Sequence, residues 1–144
     1  MSAQDSYQVR FDWGAAGAAA VGQDADAVVW VSQVLETPGP EGTVAGTLER
    51  AGELGAWALA QQQTLGGRFR LAVVAAGAAR ADGSLRFAVE DLLAAGAVIE
   101  AIAAVGIDHQ SPEAAAAASA YRGLRGATRH LLSASETSRE SPSG

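Results

Sequence analysis

Tyr7, Val9, Phe11 and Trp13 alternate with the polar Gln8, Arg10 and Asp12. This period of two predicts a strand. The small-residue run from Gly14 to Val21 follows as a helix, with Asp12 or Trp13 at its entry. Ala27-Val28-Val29-Trp30-Val31 is continuously apolar, as in a strand covered on both faces. Pro38-Gly39-Pro40-Glu41-Gly42 breaks the chain. Between Thr43 and Gln63, Val44, Leu48, Ala51, Leu54, Ala58 and Leu59 recur at three and four, predicting an amphipathic helix. Gly46, Gly52 and Gly55 weaken that helix by roughly 1 kcal/mol each against Ala, so packing must hold it.

A Gly66-Gly67 turn leads into the clearest strand, Arg68 to Gly77, and Ala78 to Gly83 reads as a loop. Ser84 is placed to cap a helix running to about Ala104, with Phe87, Val89, Leu92, Leu93, Val98, Ile99 and Ile102 as its apolar set. Ser111-Pro112-Glu113 starts another helix, which covers Ala114 to about Leu124. The Ser-rich end is expected to be a disordered tail over residues 133–144, leaving residues 1–132 as one domain. Strand–helix alternation of this kind predicts an α/β fold: a small, mostly parallel sheet of three to four strands flanked by helices. So small a sheet resembles a reduced version of a larger α/β domain, with edges that need covering.

Composition narrows the chemistry. The 144 residues suit one domain, and much of the 49% hydrophobic share is alanine, so the core should be thin, with Gly and Ala at its contacts. No cysteine excludes disulfides, thiol nucleophiles and cysteine–zinc sites. All ten basic residues are Arg, which excludes a Walker lysine, a Schiff-base lysine and a Ser–Lys pair. A net charge of −6 argues against nucleic acid as a partner. No apolar run is long enough for a membrane span, and the amino terminus lacks the basic-then-apolar pattern of a signal peptide, so a soluble cytoplasmic protein is expected.

Several segments together resemble the 2-phosphosulfolactate phosphatase family. They are Val9-Arg10-Phe11-Asp12-Trp13-Gly14, Asp26 to Val31, Val73-Val74-Ala75-Ala76-Gly77, Asp82 through Ile99 with its Glu90-Asp91-Leu92-Leu93, and Ser111-Pro112-Glu113-Ala114 with Tyr121-Arg122. They are collinear with the family and cover most of residues 7 to 135. The resemblance implies Mg²⁺-dependent hydrolysis of 2-phospho-3-sulfolactate, a small anionic phosphate ester, to 3-sulfolactate and phosphate. It departs from the family pattern where Ser32-Gln33-Val34-Leu35 replaces an Asp-containing segment, where a stretch between Leu35 and Thr43 is missing, and at Ala78, where the family carries Glu.

The chemistry needs carboxylates and cations. Asp82, Glu90 and Asp91 are the candidate catalytic groups, and Asp12, Asp82 and Glu90 the candidate Mg²⁺ ligands. Each has a plain alternative: Asp82-Gly83 suits a turn, Asp12 a helix cap, and Glu90 or Asp91 a solvated helix face. Adjacent on a helix, Glu90 and Asp91 point about 100° apart, so one is expected to face the sheet end and the other solvent. Arg10, Arg86 and Gly77 are the candidate substrate-binding residues, with surface arginines as the plainer reading. Gly14-Ala15-Ala16-Gly17 suits either a phosphate at a helix start or close helix–sheet packing. The alternative to the enzyme is a non-catalytic remnant that associates through its sheet edge; a homo-oligomer, a dimer in the simplest case, is expected.

Overall fold

The computed structural model describes residues 2–140. Four parallel strands form the main sheet: β1 (Val9–Trp13), β2 (Ala27–Val31), β3 (Val44–Gly46) and β4 (Leu71–Ala75), in the order β1-β4-β2-β3. The last strand of the sheet in sequence is therefore inserted between the first two. Every residue of β4 is buried. Its side chains alternate between two layers: Leu71, Val73 and Ala75 on one face, Ala72 and Val74 on the other.

The first face is covered by α2 (Ala51–Leu65), α3 (Val89–Ala104) and α4 (Pro112–Leu124). Leu54, Ala58, Ala94, Val98, Ile99, Ile102 and Ala117 pack there against Val9, Phe11, Val29 and Val31. The second face is covered by α1 (Gly14–Gly22), which sets Ala18 and Val21 against Trp30, Ala72 and Val74. The helices of the first layer cross where side chains vanish. A Cβ on Gly55 would lie 2.8 Å from the Ala101 carbonyl oxygen, and one on Gly96 2.2 Å from the Ala117 carbonyl oxygen. The expected thin core, with backbone meeting backbone, is what forms.

The edges are handled differently. On β1, the amides of Gln8 and Val9 donate to the His109 carbonyl, and Ser111 N–H donates to the Val9 carbonyl, so residues 109–111 cover that edge. On the far side β3 is an edge strand of three residues, short enough to offer little template for pairing. Ser111 accepts from Ala114 N–H, the cap expected for α4. Gly66, at φ 74°, ends α2 with its N–H on the Gln62 carbonyl.

Five expectations need correction. The helix expected from Thr43 begins at Ala51, because Val44–Gly46 pairs with Val29–Val31 as a strand; a Cβ on Gly46 would sit 2.8 Å from Val29 Cγ1. The third expected strand is confined to Leu71–Ala75, the length its two neighbours can pair. Residues 78–86 hold a hairpin, β5 (Ala78–Ala79) with β6 (Leu85–Arg86). Ser84 belongs to its turn, with N–H and hydroxyl both on Asp82 Oδ1, so α3 starts at Val89 without a side-chain cap and Phe87 stays exposed against Trp13. The tail is also ordered through residue 140: α5 (Thr128–Ala134) and α6 (Glu136–Glu140) follow a 3-10 turn, with Thr128 and Thr137 buried. The rest of the expected tail, residues 141–144, lies outside the described residues.

The crossing of α3 and α4 gives a paired test. Gly96→Ala is expected to lower unfolding free energy by about 1–3 kcal/mol, since overpacking there outweighs the gain in helix propensity. Gly52→Ala, whose Cβ meets nothing within 4 Å, is expected to raise it by up to about 1 kcal/mol. Urea denaturation of the two variants beside the parent checks both signs.

Candidate functional site

In an open parallel sheet, ligands gather beyond the carboxyl ends of the strands, where the backbone must turn and side chains converge. Here those ends are Trp13, Val31 and Ala75, side by side in the order β1, β4, β2. β1 and β4 each run into a glycine in the left-handed region, Gly14 at φ 69° and Gly77 at φ 69°. Any other residue would be strained at either position. A crevice of about 320 Å³ opens between them, lined by Gly14, Ala15, Ala76, Gly77, Leu35 and Leu85. The first turn of α1 borders it with no capping side chain and no acidic residue.

Beneath Gly77 lies Asp91. Its Oδ2 accepts Gly77 N–H at 2.9 Å, and its Oδ1 accepts Gln33 N–H at 2.8 Å. One carboxylate on the first turn of α3 thus ties together the exits of β4 and β2. Gln33 carries the tie further: its side-chain oxygen accepts Leu48 N–H and its amide nitrogen donates to Glu49. Burial pushes the Asp91 carboxyl up, and the neighbouring Glu90 charge adds to the rise; the two N–H donors pull the other way, and the balance stands at about 7. Glu90 is buried too, at 2% exposure, and among the described residues its Oε1 has no hydrogen-bond partner. The expected division of this pair, one inward and one in solvent, is therefore corrected: the first turn of α3 is covered on every side that carries a carboxylate.

The other sequence candidates do not converge on this pair. Arg10 is fully buried beneath α1, not presented to a substrate. Its Nε donates to the Tyr7 carbonyl, its terminal nitrogens to the Val21 and Asp5 carbonyls, and it pairs with Asp24. That hydrogen bond from Arg10 is what chiefly holds the Asp24 carboxyl below its usual range. Asp12 accepts its neighbour's N–H, from Trp13, and caps nothing further along α1; Gly17 packs so closely that a Cβ would lie 2.9 Å from the Asp12 side chain. Asp82 sits in the exposed hairpin turn, held below the usual carboxylate range by Ser84. Arg86 turns to α6, with Nε 3.0 Å from Glu136 and a terminal nitrogen 3.2 Å from Glu140.

Among the described residues, no group of three or more His, Asp and Glu is arranged to hold a metal ion. The Asp12–Asp82–Glu90 ligand set expected from the sequence is thus not brought together. The two carboxylates that do share a site are Glu90 and Asp91. Gln33 and Leu85, both central to this site, were invisible as candidates, since neither residue type signals chemistry. Among the described residues no helix is long and apolar enough to cross a membrane. No family model matches the chain, and no similar chain is found among curated proteins or among solved structures.

The Asp91 carboxyl makes stability depend on pH. Its value is raised on folding from 3.8 to about 7, so the folded chain holds the proton more tightly. The stabilisation is complete below the unfolded value and is lost as pH rises through about 7. Unfolding free energy is expected to fall by about 2.5 kcal/mol between pH 5 and pH 8 through this group. Asp91→Asn, which accepts only one of the two N–H donors, lowers stability at pH 5 and removes that difference. Denaturation at the two pH values checks both. Arg10→Met leaves three backbone carbonyls without their donors and is expected to cost roughly 3 kcal/mol by the same measurement.

Proposed function

We propose that the chain binds a small anionic phosphate ester at the carboxyl end of its sheet and hydrolyses it with Mg²⁺, as its resemblance to 2-phosphosulfolactate phosphatases implies. The observation that carries this reading is the buried, partnerless Oε1 of Glu90 beside Asp91. An ionised carboxylate removed from water without a partner is costly, and a cation relieves it. Two carboxylates are few for an all-protein cation cage but suffice for Mg²⁺, which usually keeps waters and shares its shell with substrate phosphate. The bound ion would neutralise charge on the phosphoryl oxygens.

The remaining work falls to this chain's own groups. The open first turn of α1 offers backbone N–H groups to an anion in the crevice. Leu35 and Leu85 form apolar walls of the crevice.

A second reading, a non-catalytic module that acts by association, is favoured by one specific observation: both candidate substrate arginines, Arg10 and Arg86, are engaged within the chain.

Phosphate release from 2-phospho-3-sulfolactate at pH 7, with and without Mg²⁺, separates the two. The enzyme reading expects metal-dependent release that Glu90→Gln lowers at least about 100-fold, and an Mg²⁺-dependent rise in thermal midpoint present in the parent and absent in Glu90→Gln. No release and no midpoint shift from a folded parent would leave the association reading, which then expects sedimentation as more than a monomer.

A further inference from the structure

Glu90 and Asp91 are 2% and 3% exposed, so no ligand reaches them unless something moves. The strand-end crevice, separated from Asp91 by the Gly77 backbone, is walled on its outer side by the β5–β6 hairpin. Leu85 lies over both strand-end glycines: a Cβ on Gly14 would be 3.1 Å from Leu85 Cδ1, and one on Gly77 2.8 Å from it. Arg86 follows Leu85 on the same strand, so its side chain leaves the opposite face. There it meets α6, with Nε 3.0 Å from Glu136 Oε2, and terminal nitrogen contacts of 3.1 Å to Thr137 Oγ1 and 3.2 Å to Glu140 Oε2.

We infer that the hairpin is a lid on the strand-end crevice and that α6 is its latch, fastened through Arg86. This rests on the crevice being the binding site proposed above.

Three observations carry it. The hairpin belongs to no larger sheet: its two-residue strands pair only with each other, and such a ribbon does not hold its own position. Its placement therefore depends on side-chain anchors, which are Leu85 on the crevice, Phe87 against Trp13, and Arg86 on α6. Of these, the Arg86 anchor is the polar one, and it ties the hairpin to α6, 51 and 54 residues on in sequence at Thr137 and Glu140. The anchor is also built to release. Arg86 is largely covered, but Glu136 and Glu140 are 62% and 63% exposed, so salt screens their attraction and little holds them in place. A buried ion pair would act as a permanent strut; an exposed one acts as a catch. Opening would lift Leu85 from Gly14 and Gly77 and admit an anion to the first turn of α1.

Limited trypsinolysis of the full chain tests this, because Arg80 lies in the exposed hairpin turn. At low salt, Glu136→Gln/Glu140→Gln is expected to speed cleavage after Arg80 several-fold, and Arg86→Gln to do the same. The parent should approach the variant rate in 1 M NaCl, while the double variant responds little. The double variant should also bind inorganic phosphate with Mg²⁺ about tenfold more tightly by calorimetry. Equal Arg80 cleavage in the folded parent and the double variant would overturn the latch. Faster cleavage with no gain in phosphate binding would keep the moving hairpin but remove its role as a lid. Phosphate release that depends on Glu90 yet is identical in the latch variants would retain the proposed function and reject the lid.

Discussion

One carboxylate, Asp91, sets the arrangement at the carboxyl end of the sheet. It reaches from the start of α3 to the backbone of Gly77 after β4 and of Gln33 after β2. The sheet ladder stops at Ala76, whose N–H donates to the Val31 carbonyl, so the loops beyond it need another means of registration. Asp91 provides it from a covered position, where two N–H donors are worth far more than in water. Gln33 extends the same arrangement to the start of α2 through Leu48 and Glu49. Two helices and two strands are therefore linked through one buried acid, and chemistry proposed at the crevice would be built beside a group that also holds the scaffold.

Under the proposed function, that dual role would put stability and function in opposition. A buried carboxyl that ionises near neutrality weakens the fold when it carries its charge, yet the charged form is the one that binds a cation. Glu90, without a hydrogen-bond partner for Oε1, sharpens the conflict. Sites that depart from the local rules of folding are where binding energy is recovered from a ligand. Arg10 makes the contrast plain: equally buried, but with backbone carbonyls and Asp24 around its guanidinium, it supports the fold and leaves nothing for a ligand.

Much of the architecture is legible in the sequence because it is written in local patterns. The apolar runs of β2 and β4, the Ser111-Pro112 start of α4 and the glycine turn after α2 each state their structure within a few residues. Elements that depend on distant pairing are not legible in this way. Val44 shares a helical period with Leu48 and Ala51, and only the presence of β2 alongside makes it a strand. Arg10 and Asp12 alternate with apolar residues as solvent-facing positions would, yet α1 covers that face too. The Ser-rich composition of α5 and α6 hides their order, since Thr128 and Thr137 are held by packing and hydrogen bonds rather than by apolar character. At the site, Asp91 was identifiable by its chemistry, but its partners are backbone amides, which carry no signal of residue type.

The glycine- and alanine-lined crossings of α2, α3 and α4 carry a thermodynamic consequence of their own. Alanine gives up no side-chain rotamers on burial, so this core orders its backbone without the additional entropy loss that leucine or methionine would bring. It also removes little apolar surface from water per residue, and the heat capacity of unfolding scales with that surface. Close backbone approach thus gives a protein whose stability varies gently with temperature, and whose cohesion comes more from contact than from hydration.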